Sequence, residues 1–63
     1  MKKIKQLKEY AEDLQVEDII WSEEHDGWRM ISNITIDLNG KYHLQFDNGQ
    51  KIISTPRKKH LLM

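Results

Sequence analysis

The segment from residue 41 to residue 55, KYHLQFDNGQKIIST, has the pattern of two β-strands joined by a tight turn. In its first half, Tyr42, Leu44 and Phe46 alternate with polar residues, which is the period of a strand with one buried face. Asn48-Gly49 follows, and both residue types tolerate the positive φ angles of hairpin turns. The segment therefore predicts a β-hairpin, with a type I′ turn available at Asn48-Gly49.

The same pattern extends over most of the chain. The other two glycines also follow an Asp or Asn residue, at Asp26-Gly27 and Asn39-Gly40, and each pair predicts a further turn. Runs rich in β-branched and aromatic residues separate these turns and predict four strands, at residues 17–22, 28–36, 41–47 and 50–55. Pro56 lacks an amide donor and ends the fourth strand, after which Leu61 and Leu62 predict a fifth.

The N-terminal residues have a different period. Ile4, Leu7, Ala11 and Leu14 recur at intervals of three and four, which predicts an amphipathic helix over residues 2–14. We therefore expect an N-terminal helical segment, 1–15, followed by strands over 16–63 within a single domain. Four or five short antiparallel strands should curl into a small SH3-like barrel, because closure limits unpaired edges. The alternative fold is an open meander with the helix over one face.

Composition excludes several classes of protein. The chain has 63 residues and no cysteine, so a large enzyme, a disulfide framework and a thiolate zinc site are excluded. Ten basic residues balance ten acidic ones, which removes the basic excess typical of nucleic-acid binders. No segment resembles a signal peptide or a membrane span, and the sequence therefore predicts a cytoplasmic protein.

The charges are nevertheless separated along the chain. Residues 9–26 carry eight acidic residues and no basic one. The basic residues concentrate at the two ends, as Lys2, Lys3, Lys5, Lys8, Arg57, Lys58 and Lys59. Such blocks predict one acidic and one basic face, an arrangement that steers charged partners.

Four short motifs between residues 16 and 62 resemble the Tudor family of SH3-like barrels in order and spacing. They are Val16-Glu17-Asp18, Ile20-Trp21-Ser22-Glu23, Asp26-Gly27-Trp28-Arg29 and Phe46-Asp47-Asn48-Gly49. The chain departs from the family pattern at Glu17, where the family has glycine, and at Asn48, where it has tyrosine.

The resemblance implies a site for methylated lysine or arginine side chains. Tudor domains commonly hold such cations in an aromatic cage, whose ring faces attract a desolvated cation by roughly 0.5–2 kcal/mol per contact. Carried over by position, the cage would consist of Trp21, Trp28 and Phe46, with Asp47 or Asn48 as its polar rim. The alternative for these aromatic residues is the hydrophobic core of the barrel.

Catalytic and metal-binding patterns are weak in this sequence. The cluster Glu23-Glu24-His25-Asp26 contains metal-ligating residue types, but adjacent side chains rarely converge on one ion, and zinc sites need well-spaced ligands. Ser22, Ser32 and Ser54 lack the context of a catalytic serine, and the glycines are too dispersed for a phosphate-binding loop. We expect a non-enzyme without a metal ion or cofactor.

The leading functional hypothesis is a non-catalytic protein-interaction module whose acidic patch, Glu23, Glu24 and Asp26, docks onto a larger cytoplasmic protein. The small size of this chain and its Lys- and Ile-rich composition suggest an adaptor or inhibitor from a phage or mobile element. Nucleic-acid binding is the alternative, through the basic chain ends and sheet aromatics such as Trp28 or Tyr42. A homodimer is a further alternative, since a small core gains stability from a second copy.

Overall fold

The computed structural model describes residues 7–63, which form an antiparallel β-sheet. The elements are β1 (Leu7–Tyr10), a 3₁₀ turn (Ala11–Asp13), β2 (Ile19–Ser22), β3 (Gly27–Ile36), β4 (Tyr42–Phe46), β5 (Lys51–Ser54) and β6 (Lys59–Leu62). The strands are ordered β1-β6-β2-β3-β4-β5 across the sheet. The prediction of a mainly β fold is confirmed, and all five predicted strands are present with slightly shifted ends.

The predicted N-terminal helix is wrong over residues 7–14. Leu7–Tyr10 instead forms β1, which pairs with β6 from Leu7 opposite Leu62 to Tyr10 opposite Lys59. A helix of this length is marginal alone, and its basic start and acidic end oppose the helix dipole. The edge of β6 offers backbone hydrogen-bond partners to alternate residues of the same segment. Residues 1–6, including the predicted helical residue Ile4 and three of the lysines, lie outside the described part of the chain.

The predicted hairpins are confirmed, but their turns are of another type. In the turn between β4 and β5, the amide of Phe46 donates to the carbonyl of Gln50 and that of Gly49 to the carbonyl of Phe46. Gly49 has φ 89°, whereas Asn48 has no positive φ, so a type I′ turn is excluded. The three-residue loop closes as a type I turn followed by a glycine in the left-handed region. The turn before β4 repeats this design, with Gly40 at φ 79°.

β3 changes partners along its length and so builds the core. Its first half pairs with β2 and its second half with β4, with a register shift between Ile31 and Asn33. The resulting bend brings apolar side chains of the loop before β2 and of three strands together. The buried cluster is Leu14, Ile20, Ile31, Leu44 and Phe46.

The sheet is open, whereas a closed barrel of four or five strands was expected. It has six strands in residues 7–63, because Leu7–Tyr10 adds one, and the strand order has β1 and β5 at its two ends. One end of the sheet nevertheless approaches β6, the strand next to the other end: Ser54 Oγ of β5 lies 2.6 Å from His60 Nε2 of β6. The curled sheet therefore has a seam between β5 and β6.

Replacing Leu44 with alanine should remove most of the stability of this fold. Leu44 is fully buried in the core cluster. Truncating a buried leucine costs about 2–5 kcal/mol, and a domain of this size rarely has more than about 3–5 kcal/mol in total. Urea unfolding followed by tryptophan fluorescence measures the effect. The matched control, Ile53→Ala at a 56% exposed position, should change the unfolding free energy by no more than about 0.5 kcal/mol; equal losses in both variants would contradict the assigned core.

Candidate functional site

β2 presents two apolar side chains on the side of the sheet that faces away from the core. Ile20 and Ser22 are buried, while Ile19 and Trp21, which alternate with them, are only partly buried. Because successive side chains of a strand point to opposite faces, Ile19 and Trp21 lie on the outer face.

The neighbouring strand continues this apolar surface. Trp28 lies directly opposite Trp21, and Met30 lies opposite Ile19, so the four side chains share one face of the sheet. The two indole rings meet edge to face with their centroids 5.5 Å apart. None of the four belongs to the buried cluster or to the residues packed against it. We call Ile19, Trp21, Trp28 and Met30 the Trp face.

The turn that joins β2 to β3 borders the Trp face and is held in place by His25. Its imidazole Nδ1 shares a 2.9 Å hydrogen bond with Ser22 Oγ, and its ring meets the edge of Phe46. The backbone carbonyl oxygen of His25 accepts a hydrogen bond from Arg29 Nη2, and Arg29 Nε donates a second one to Gln50 Oε1. His25 thus orders the turn, while the hydroxyl of Ser22, which is 1% exposed, is closed to a substrate.

The predicted acidic patch lies on this turn. Glu23, Glu24 and Asp26 are all exposed. Glu23 and Glu24 also line a cleft whose other lining residues include Lys58 and Lys59. The acidic and basic blocks of the sequence therefore meet at this cleft, whereas separate faces were expected. Of the three acidic residues in the patch, Asp26 does not line the cleft.

The cleft has a volume of about 90 Å³ and lies across the seam of the sheet. One wall comes from Ile52 and Ile53 of β5, and the opposite side comes from residues 21–24 and 58–60. His60 is 6% exposed and Ser54 beside it is 3% exposed. Burial of the ring, assisted by the positive charge of Lys58, lowers the pKa of His60, while the carboxylate of Glu23 acts in the opposite direction.

The C-terminal basic residues cluster around Tyr10, which sequence reasoning did not single out. Arg57 Cζ lies 5.0 Å and Lys59 Nζ 5.2 Å from the centre of the Tyr10 ring. Arg57 Nε also lies 3.8 Å from Glu12 Oε1. Only the pairing of β1 with β6 brings these groups together, and no local pattern could have indicated it. Lys8 is exposed on β1, whereas Lys2, Lys3 and Lys5 lie outside the described residues.

The residues of the implied aromatic cage separate into two groups. Trp21 and Trp28 stand together at the surface, but Phe46 is 1% exposed and belongs to the core cluster. Asn48 lies in the turn after β4, where its side chain bonds to both the amide and the side chain of Gln50. Two of the three implied aromatic walls are therefore available at the surface.

A second imidazole is held by a carboxylate that sequence reasoning missed. His43 Nε2 lies 2.9 Å from Asp37 Oδ2, and Asp37 Oδ1 accepts from the amides of Asn39 and Lys41. The hydrogen bond to His43, followed by that from Lys41, lowers the pKa of Asp37. The Asp37–His43 pair closes the turn between β3 and β4. In the sequence, the only indication of this pair was the alternation of polar residues along β4.

Residues 7–63 contain no group of three or more His, Asp or Glu side chains placed to hold a metal ion. Over the same residues, no helix has the length and apolar character needed to cross a membrane. Comparisons of the chain with protein-family models, with curated proteins and with solved structures found no match. The surface features that can carry a function are the Trp face, the acidic turn and the cleft.

Lowering the pH through the range in which histidine titrates should destabilise the protein because of His60. Its pKa in the folded state lies below the ordinary 6.5, so the unfolded chain takes up the proton first. The free energy of unfolding should therefore fall as the pH drops below about 6.5, and urea midpoints at pH 7.5 and 5.5 measure this change. In His60→Gln the difference between the two midpoints should shrink; an unchanged difference would show that another group is responsible.

Proposed function

We propose that this chain is a non-catalytic protein-interaction module that binds a larger protein through the Trp face and the adjacent acidic turn. The observation that carries the proposal is the pair of cross-strand contacts, Trp21 with Trp28 and Ile19 with Met30, on the outer face of the sheet. Contiguous apolar groups at a surface mark interaction sites, and tryptophan is enriched among the residues that dominate binding energy.

The geometry is suited to binding with little loss of conformational entropy. Trp21 and Trp28 stand on paired strands and restrain each other through their edge-to-face contact. A side chain ordered before binding loses less entropy when the complex forms. The turn beside them is ordered by His25, so the backbone that carries the acidic patch also has a defined position.

The acidic turn adds selectivity for charge. Asp26 is exposed and lies outside the lining of the cleft, so it faces a partner without the basic side chains that accompany Glu23 and Glu24. Complementary charge accelerates association and disfavours wrong partners. A partner surface with an apolar centre and basic residues at one end fits this arrangement.

Nucleic-acid binding is the second candidate, and the basic cluster at Tyr10 favours it. Arg57 and Lys59 lie close to an aromatic ring there, beside the exposed Lys8 of β1. However, both cations already contact the ring, and Arg57 lies near Glu12, which offsets its charge. Affinity for single-stranded nucleic acid that falls steeply with salt would support this candidate.

The finer assignments are also proposals. A relationship of this open sheet to SH3-like barrels of the Tudor type draws support from the strand order β6-β2-β3-β4-β5 around one core and from Glu17, whose φ of 80° suits the glycine of the family motif. A reader of methylated side chains draws less support, because Phe46 is in the core. The proposed biological role is that of a cytoplasmic adaptor or inhibitor from a phage or mobile element.

Replacing Trp28 with serine should abolish partner binding and leave the fold intact. Tagged wild-type protein should retain one stoichiometric protein from a nuclease-treated bacterial lysate. Loss of a central tryptophan costs about 2 kcal/mol or more, so the affinity of the purified partner should fall at least about thirtyfold in Trp28→Ser. Leu38→Ser is the matched control, since Leu38 is a fully exposed apolar residue on the turn between β3 and β4. Circular dichroism checks the fold of each variant.

Equal retention by Trp28→Ser and the wild type would exclude the Trp face as the contact. Loss of all bound material after nuclease treatment would favour the nucleic-acid candidate.

Reversing the acidic patch should slow association. In the triple variant Glu23→Lys, Glu24→Lys and Asp26→Lys, the association rate with the same partner should fall, and added salt should raise the rate because it screens the new repulsion between like charges. Surface plasmon resonance at two ionic strengths measures both effects. Asp13→Lys changes an exposed acid on the 3₁₀ turn and serves as the control. An association rate equal to that of the wild type would remove the patch from the interface.

A further inference from the structure

Within residues 7–63, the outer edge of β5 has backbone groups without a strand partner. β5 pairs with β4 in a register that places Leu44 opposite Ile52 and His43 opposite Ile53. The bond from the Phe46 amide to the Gln50 carbonyl closes this hairpin and sets which residue pairs are hydrogen-bonded. Because such pairs alternate along an antiparallel ladder, Lys51 and Ile53 direct their N–H and C=O groups away from β4.

No other strand in residues 7–63 pairs with this edge, since β5 is the last strand in the order of the sheet and meets β6 through the side chains of Ser54 and His60. Ile53 is an apolar side chain that is nevertheless 56% exposed. Unpaired strand edges are templates for an additional strand, and natural edges are protected by lysine, proline or bulges. Lys51 gives limited protection here, and Pro56 follows only after the strand has ended.

The cleft lies against the same edge. Ile52 and Ile53 form one of its walls, and Trp21 contributes an apolar surface to its lining. Its volume of about 90 Å³ is far below the roughly 300–1,000 Å³ of ligand pockets and below the roughly 150 Å³ of a cavity that holds benzene. This space admits one side chain, and most of its lining residues are polar or charged, including Glu23, Glu24, Lys58 and Lys59.

We infer that the edge of β5 accepts an extended segment of the partner protein as an added strand, with one side chain of that segment at the cleft. Backbone hydrogen bonds to Lys51 and Ile53 would supply the pairing, and the cleft would select the side chain. Lys51 and Ile53 share the outer face of β5, so the segment should carry an acidic residue opposite Lys51 and an apolar residue opposite Ile53. This inference rests on the proposed function and names the form of the partner.

The test removes one outward backbone donor and keeps the rest of the edge. Peptides that bind the wild type are selected from a displayed library of linear seven-residue sequences. In Ile53→Pro the affinity of a selected peptide should fall at least tenfold, because proline lacks the N–H group. Proline is tolerated at edge positions whose N–H points outward. Ile53→Thr keeps the donor and the β-branched shape, and its affinity should stay within threefold of the wild type.

Amide hydrogen exchange of the wild type gives a second readout that does not depend on the folding of Ile53→Pro. The peptide should slow exchange at Lys51 and Ile53. Full affinity for Ile53→Pro, unchanged exchange at both amides or failure to select any peptide would overturn the inference. Protection of both amides at high protein concentration without peptide would also overturn it and would identify a second copy as the occupant. A lysate protein that is lost by Trp28→Ser but retained by Ile53→Pro would support the proposed function and overturn the strand addition.

Discussion

The change of partner within β3 is the constraint on which the rest of the structure depends. Met30 still pairs with Ile19 of β2, whereas Ile31 already pairs with Phe46 of β4. The backbone of Ile31 also bonds to the loop before β2, through the carbonyl of Asp18 and the amide of Glu17. A flat strand could not serve both neighbours, and the bulge supplies the bend. The small core, the seam and the position of the acidic turn all follow from this bend.

A short chain folded in this way cannot bury all its large side chains. Its core contains one aromatic residue, Phe46, while both tryptophans remain on the outer face of β2 and β3. Small domains hide only about 60% of the surface of the unfolded chain, so apolar groups outside the core are expected. Their concentration in two facing cross-strand pairs, beside an ordered acidic turn, is what supports the proposed partner-binding surface.

The distribution of charge is the property for which the sequence and the fold differ most. Along the chain the acidic and basic residues form separate blocks, but the seam places Glu23 and Glu24 in the same cleft as Lys58 and Lys59. The pairing of β1 with β6 similarly brings Tyr10 beside Arg57 and Lys59. Net charge by segment therefore overstated the separation of the two signs, and Asp26 keeps the clearest acidic character within the predicted patch.

The sequence by itself determined the strands and turns that depend on near neighbours. Alternation in β4 and glycine after Asn48 or Asn39 specify hairpins because their hydrogen bonds close within a few residues. The family resemblance also grouped Trp21 with Trp28, and the structure places them opposite each other on adjacent strands. Only the tertiary structure decided that Leu7–Tyr10 is a strand, that Phe46 is core while both tryptophans are not, and that Ser54 meets His60. Each of these features depends on partners that are distant in the chain or on the curl of the sheet. The free energy of such tertiary contacts outweighs the local helical preference that the period of the N-terminal residues indicates.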